Sequence, residues 1–199
     1  MPRKARKYII TPNTLYHIVC RGNNKRRIFR TSRDYQKLLK IIELAKKKFP
    51  FYLYSYSLLP NHYHLGIETI KISISKIMHY INFSYANYFH YRYKTSGHLF
   101  QGRFFSSLIE KESYFWEFSR YIDLNAVRAG LVKKPEDYQW GSYKFYFQKN
   151  YRRKLIDYER FLEYGGENLE EARIQYLQFV EVGLELNKKP NFPFGKNMI

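Results

Sequence analysis

Apolar and polar positions alternate from Leu15 to Arg21 in LYHIVCR, and the alternation stops at Gly22-Asn23-Asn24. Period two ending on turn residues predicts a strand and a turn over 15–24. The period then lengthens. Leu38, Leu39, Ile42 and Leu44 recur at roughly helical spacing through Ala45, and Asp34 is placed to cap that helix. FYLYSYSLL (51–59) is a β-rich run closed by Pro60-Asn61, and HYHLGIE (62–68) follows at once, which predicts an antiparallel pair. Ile74, Ile77, Met78, Ile81 and Tyr85 mark a long amphipathic helix over 73–91, and a polar loop (93–103) precedes a β-like run, FFSSLIE (104–110). The order β-α-β-β-α-β predicts an α+β fold with a ferredoxin-like antiparallel sheet.

A further helix is expected from Ser113 to about Asn125. Beyond Gly130 the composition changes to a turn-rich connector, and Asn168 with Glu171 forms a capping-box pattern for a helix through about Val182. Residues 155–199 hold 5 basic and 8 acidic side chains, unlike everything before them. The chain is therefore expected to divide into a core domain over 8–130 and a connector with a small helical appendage over 131–199.

Charge adds a partner to this picture. Net charge is +18, and positions 1–100 carry 19 basic residues against 3 acidic, while 101–199 carry 16 against 14. A lopsided basic field with 21 Tyr and 16 Phe suits a polyanion whose unpaired bases can stack. The single Cys20 cannot form an internal disulfide, which points to a reducing compartment. No apolar run approaches about 18 residues, so no membrane span is expected. The opening MPRKARK lacks the apolar stretch of a signal peptide; Arg3 and Lys4 read as a phosphate-contacting arm or a solvated tail. A cytoplasmic protein is the expectation.

His62 and His64 are the candidate chemistry. Alternate strand residues share a face, so the two imidazoles would stand side by side. Two imidazoles can begin a metal site but not complete one. In RYIDLNAVRAG, Tyr121 and Asn125 are four apart and project from one helix face. If that helix crosses the sheet near the histidines, Asn125 offers an amide oxygen and Tyr121 a nearby phenol. Two His and one amide oxygen suit a hard divalent ion, Mg²⁺ or Mn²⁺. Cys20 lies on another strand, and Asp123, two residues from Tyr121, points elsewhere on the helix. His17, His79 and His90 read as structural or surface residues.

NHYHLGIE, GHLFQGRF and RYIDLNAVRAGLV, in this order, resemble the Y1 HUH transposases of the IS200/IS605 class. The opening YHIVCRGNN and the later WGSY and YLQFVEVGL resemble the branch called REP-associated tyrosine transposases, so the likeness spans about 8–184. It implies a ferredoxin-like, RRM-like core followed by a catalytic helix. It implies His62 and His64 as ligands of a divalent ion, Asn125 as the third ligand and Tyr121 as the nucleophile. The implied activity is metal-dependent cleavage and strand transfer of single-stranded DNA through a 5′-phosphotyrosine, on hairpin-bearing or palindromic repeats. Ala126 departs from the branch, which usually has Pro after the Asn. Members with longer tails can act as monomers, which favours monomer over homodimer here, and the acidic tail is expected to restrain the basic groove.

The DNA contacts stay more open. His98 and Arg103 sit between glycines and suit a phosphate, or form only a tight loop. Arg21, Asn23, Lys25, Arg26 and Arg27 grip a hairpin backbone, or form a solvated basic turn. Arg120 and Arg128 steady the scissile phosphate, or pair with a neighbour. The rival class is a non-catalytic RRM-like module that stacks bases on its sheet. It explains the charge and the tyrosines but not the His pair or the Tyr-Asn pair.

Overall fold

The computed structural model describes residues 13–109, 111–148 and 155–186; Arg3 and Lys4 lie outside them. Four strands, β1 (Leu15–Arg21), β2 (Phe51–Leu59), β3 (His62–Thr69) and β4 (Phe105–Ile109), form one sheet in the order β2-β3-β1-β4. All three pairings are antiparallel. With α1 (Ser32–Lys48) and α2 (Ile74–Tyr93) as the crossovers, this is the expected ferredoxin-like arrangement.

Strand alternation divides the residues between two faces. Cys20 and Tyr63 point toward α2, where both reach the Asn82 side chain. Leu65, Ile67, Leu53, Leu58 and Ile18 bury with them. That leaves His17, His64 and Gly66 for the opposite face, which α3 (Lys111–Asp123) covers.

Asp34 works from inside α1, not as the residue before it. It accepts hydrogen bonds from the Arg30 and Thr31 backbone N–H groups at 2.8 and 2.9 Å, so Thr31 is the N-cap and Asp34 its reciprocal partner. The same carboxylate receives the Tyr88 and Tyr93 hydroxyls at 2.8 and 2.6 Å, tying the C-terminal end of α2 to the start of α1. Leu44, expected on the apolar stripe, is exposed.

The connector after α4 (Asn125–Arg128) lies along the free edge of β2. Leu58 N–H donates to the Trp140 carbonyl, Ser142 N–H to that of Tyr56, and Asp157 N–H to that of Leu53. An edge that would otherwise offer unpaired backbone groups is thereby closed. After α5 (Lys144–Phe147) and α6 (Tyr158–Leu162), α7 (Leu169–Glu185) starts at Asn168, whose side chain accepts from the Glu170 and Glu171 N–H groups. α7 packs on α3 through Tyr176 against Trp116. No helix among the described residues is long and apolar enough to cross a membrane.

Gly66 governs how closely α3 approaches. A Cβ there would lie 2.6 Å from Phe118 Cε2 and 2.7 Å from Ser55 Oγ. Neither contact can be relieved by a flexible chain end, since Phe118 and Ser55 are both fully buried. Gly66→Ala is expected to destabilise the protein by about 1–3 kcal/mol, the usual cost of overpacking. Urea unfolding of the two proteins checks this.

Candidate metal and tyrosine site

The face beneath α3 carries three histidines, not two. His62 and His64 project from β3 with ring centroids 5.1 Å apart. His17 on β1 stacks on His64 at 5.2 Å, and its Nε2 lies 2.9 Å from His64 Nδ1. Along the sequence His17 has no histidine neighbour and reads as a structural or surface residue. Its position two residues inside a strand antiparallel to the His pair was the signal, but only the register reveals it.

Tyr121 sits in the last turn of α3, and its ring lies 5.5 Å from His17 and 5.9 Å from His64, edge-on to both. α3 ends at Asp123, and Asn125 opens α4, so the two residues straddle a break at Leu124. They remain joined: Asn125 Nδ2 donates to the Tyr121 carbonyl at 2.8 Å. Arg128, one turn further, donates to the same carbonyl at 3.2 Å and places its guanidinium 5.2 Å from the Tyr121 ring centre. Burial pushes the phenol up from its usual value, and the Arg128 charge pulls it down.

The donor set fits a hard divalent ion. His62 Nδ1 lies 2.6 Å from Asn61 Oδ1, which can only accept, so the ring proton sits there and Nε2 keeps its lone pair. Burial holds the imidazoles neutral: His62 and His17 fall to about 4, and His64 falls well below its ordinary value. Asn125 has committed its amide nitrogen and retains Oδ1, a hard oxygen donor. Beside them, in register with His64 on β2, the Ser57 hydroxyl is buried with no hydrogen-bond partner. Among the described residues no group of three or more His, Cys, Asp or Glu is placed to hold a metal.

Comparison with known proteins supplies the family. A family model described as "Transposase IS200 like" matches residues 11–125. The chain belongs to that family of transposases. A solved structure described as that of the REP-associated tyrosine transposase bound to a REP hairpin resembles it with a TM-score of 0.60 and 20% identity. The match covers 77% of this chain and 93% of that one and shows a shared fold. No curated protein matches the sequence.

The remaining candidate residues of the transposase divide into two groups. The loop carrying His98 and Arg103 is tied to the turn after β1: Gly22 bridges Phe100, Asn23 N–H donates to the Leu99 carbonyl, and Gln101 N–H to that of Arg21. Exposed His98, Arg103, Lys25 and Arg27 therefore share one surface with the half-buried Arg21, Asn23 and Arg26. Arg21 also faces His62 across the strands. Arg120 is different. It pairs with Glu117, donates to the Phe179 carbonyl at 3.1 Å and lies 3.9 Å from the Phe179 ring centre. Its guanidinium is held against α7, so of the two arginines only Arg128 reaches Tyr121.

A second basic surface forms where α1 meets α2. Arg33, Lys37, Arg92 and Lys94 line a cavity of about 740 Å³ with Tyr88 and Tyr91. Arg30, stacked on Phe89 and Tyr93, and Arg26, over Phe89, connect it toward the β1 turn. The signal was divided between α1 and α2, which sequence spacing does not bring together.

Asp123 turns away from the histidines, as its spacing indicated. It accepts from Ser142 Oγ at 3.0 Å and from the Tyr176 hydroxyl at 2.6 Å, joining α3 to the connector and α7. The described part of the tail therefore braces α3. Burial raises Asp123 to about 7 despite these two hydrogen bonds. A carboxyl raised in the folded state contributes stability below its unfolded value, and that contribution is lost as pH climbs toward about 7. The buried histidines act oppositely, contributing above about 6.5 and losing it as pH falls. Asp123→Asn keeps one of the two acceptor oxygens, carries no charge and leaves the histidines in place, so their part cancels in a comparison with the wild type. From pH 4.5 to 8 the wild type is expected to lose about 3 kcal/mol relative to Asp123→Asn. Denaturant titrations of both proteins at each pH measure the difference.

Proposed function

We propose that this transposase cuts and rejoins single-stranded DNA through a covalent link to Tyr121, with hairpin-bearing repeats as substrate. The observation that carries the reading is the convergence of the Tyr121 ring on the His64 side of the sheet, 5.9 Å between centroids. His62 Nε2, His64 Nε2 and Asn125 Oδ1 would hold Mg²⁺ or Mn²⁺. Such an ion, when bound, supplies polarisation of a non-bridging oxygen of the scissile phosphate.

The Tyr121 oxygen bonds to phosphorus, the phenol gives up its proton, and the bond to the 3′-oxygen breaks. The departing 3′-oxygen takes up a proton, and the 5′ side stays on the tyrosine. The reverse attack by another 3′-hydroxyl restores a phosphodiester, so no external energy source is required. Arg128 favours the phenolate and fixes the helix end that bears it. α3 shields the histidines from bulk water. The joined loops bearing Arg21, Lys25, Arg26, Arg27, His98 and Arg103 supply the charge for a hairpin backbone. The hairpin named for the similar solved structure supports that substrate class.

The decisive experiment is incubation with labelled hairpin oligonucleotides and Mg²⁺ or Mn²⁺, resolved on a denaturing gel. A protein–DNA adduct that requires the metal and disappears in Tyr121→Phe is expected. Binding with no adduct across varied hairpins would favour the RRM-like module, and cleavage that persists in Tyr121→Phe would refute the covalent route. Arg27→Ala should leave the adduct intact and reduce the salt slope of hairpin affinity by about 0.7–0.9, one phosphate contact.

A further inference from the structure

We infer that His17 is a positioning residue: its hydrogen bond sets the tautomer of His64 and keeps the His64 Nε2 lone pair open for a divalent ion. This rests on the metal-dependent reading above. A neutral imidazole carries one N–H, and either nitrogen can bear it. The 2.9 Å contact between His17 Nε2 and His64 Nδ1 requires one of those two nitrogens to hold the proton. With the proton on His64 Nδ1, His64 Nε2 is a ligand. With it on His17 Nε2, His64 is protonated at Nε2 and cannot ligate.

The two site histidines thus receive equivalent partners of different kinds. His62 is fixed by Asn61, whose Oδ1 faces the ring while its Nδ2 is directed to the Lys25 carbonyl at 3.4 Å. An amide oxygen allows one tautomer only. His17 does the same service for His64, and being an imidazole it can also donate. The His64 ring is therefore ligand-ready only when His17 accepts, carrying its own proton on Nδ1. On that side of the sheet, in register with His17 on β4, the buried Ser107 hydroxyl has no hydrogen-bond partner. Burial of His17 at 5% exposure and stacking on His64 keep solvent from replacing it as the partner. Such outer partners of metal-bound histidines orient the ring and raise its basicity.

The test uses the full chain without DNA. Long-range ¹H–¹⁵N spectra of histidine-labelled protein with Mg²⁺ read the His64 tautomer directly, and Mn²⁺ affinity is measured by electron paramagnetic resonance. His64 should carry its proton on Nδ1. His17→Phe, which keeps the flat ring but not the acceptor, should weaken Mn²⁺ binding about 10- to 100-fold. His17→Gln, whose amide oxygen can accept from Nδ1, should retain most of the affinity. Thermal melting shows whether both variants are folded, and if His17→Phe is not, the wild-type spectrum decides alone. Unchanged Mn²⁺ affinity in folded His17→Phe, or an Nε2 proton on His64 in the Mg²⁺-loaded wild type, overturns the role of His17. Mn²⁺ binding unaffected by His62→Ala and His64→Ala would instead overturn the metal reading itself.

Discussion

The close seating of α3 on the sheet is the constraint on which the rest of the structure depends. Gly66 leaves a space that the Phe118 ring fills, and Ser55 and Ser119 meet at 3.4 Å beside it. Seated there, the helix carries Tyr121 to the edge of the His17–His64 stack and closes the histidines from solvent. Removing water is what holds the imidazoles neutral, so the packing of α3 and the protonation state of the histidines have one cause. A looser helix would leave the same residues in the chain without bringing the phenol to the site.

The C-terminal region secures that helix from its other side. Asp123 is buried between the Ser142 and Tyr176 hydroxyls, and Arg120 lies flat on Phe179. α3 is thus held between the sheet and α7, with Tyr121 on one side and its polar anchors on the other. The anchor is costly in itself, since an isolated buried carboxylate is disfavoured and Asp123 retains its proton to about 7. Its hydrogen bonds give one defined orientation of α3, which the apolar contacts of Phe115 and Phe118 alone would not specify. Over the described residues the tail braces α3 through these contacts.

Basic side chains are gathered by loop docking rather than by sequence proximity. The turn after β1 and the loop before β4 are about 75 residues apart in the chain, yet backbone hydrogen bonds at Gly22, Asn23 and Gln101 join them. Gly22 is needed there because a Cβ would lie 2.2 Å from the Arg26 carbonyl oxygen. The charge surface therefore begins at Arg21, opposite His62, and runs outward. Cation–π contacts of Arg26 and Arg30 with Phe89 then extend it toward α2.

By itself the sequence determined the order of the four strands and of α1, α2, α3 and α7, the strand pair that carries His62 and His64, and the Tyr121–Asn125 spacing, because these rest on local periodicity and turn residues. The family motifs were likewise legible as ordered strings. Only the tertiary structure decided that His17 joins the site, since strand register, not spacing along the chain, brings it to His64. It also decided that Arg120 faces α7 while Arg128 faces Tyr121, a choice made by which side of α3 meets the tail. Asp34 shows the same division at smaller scale: its capping role was readable, but its hold on Tyr88 and Tyr93 was not. Local patterns specify which face a residue occupies; the partner on that face is set by how distant elements pack.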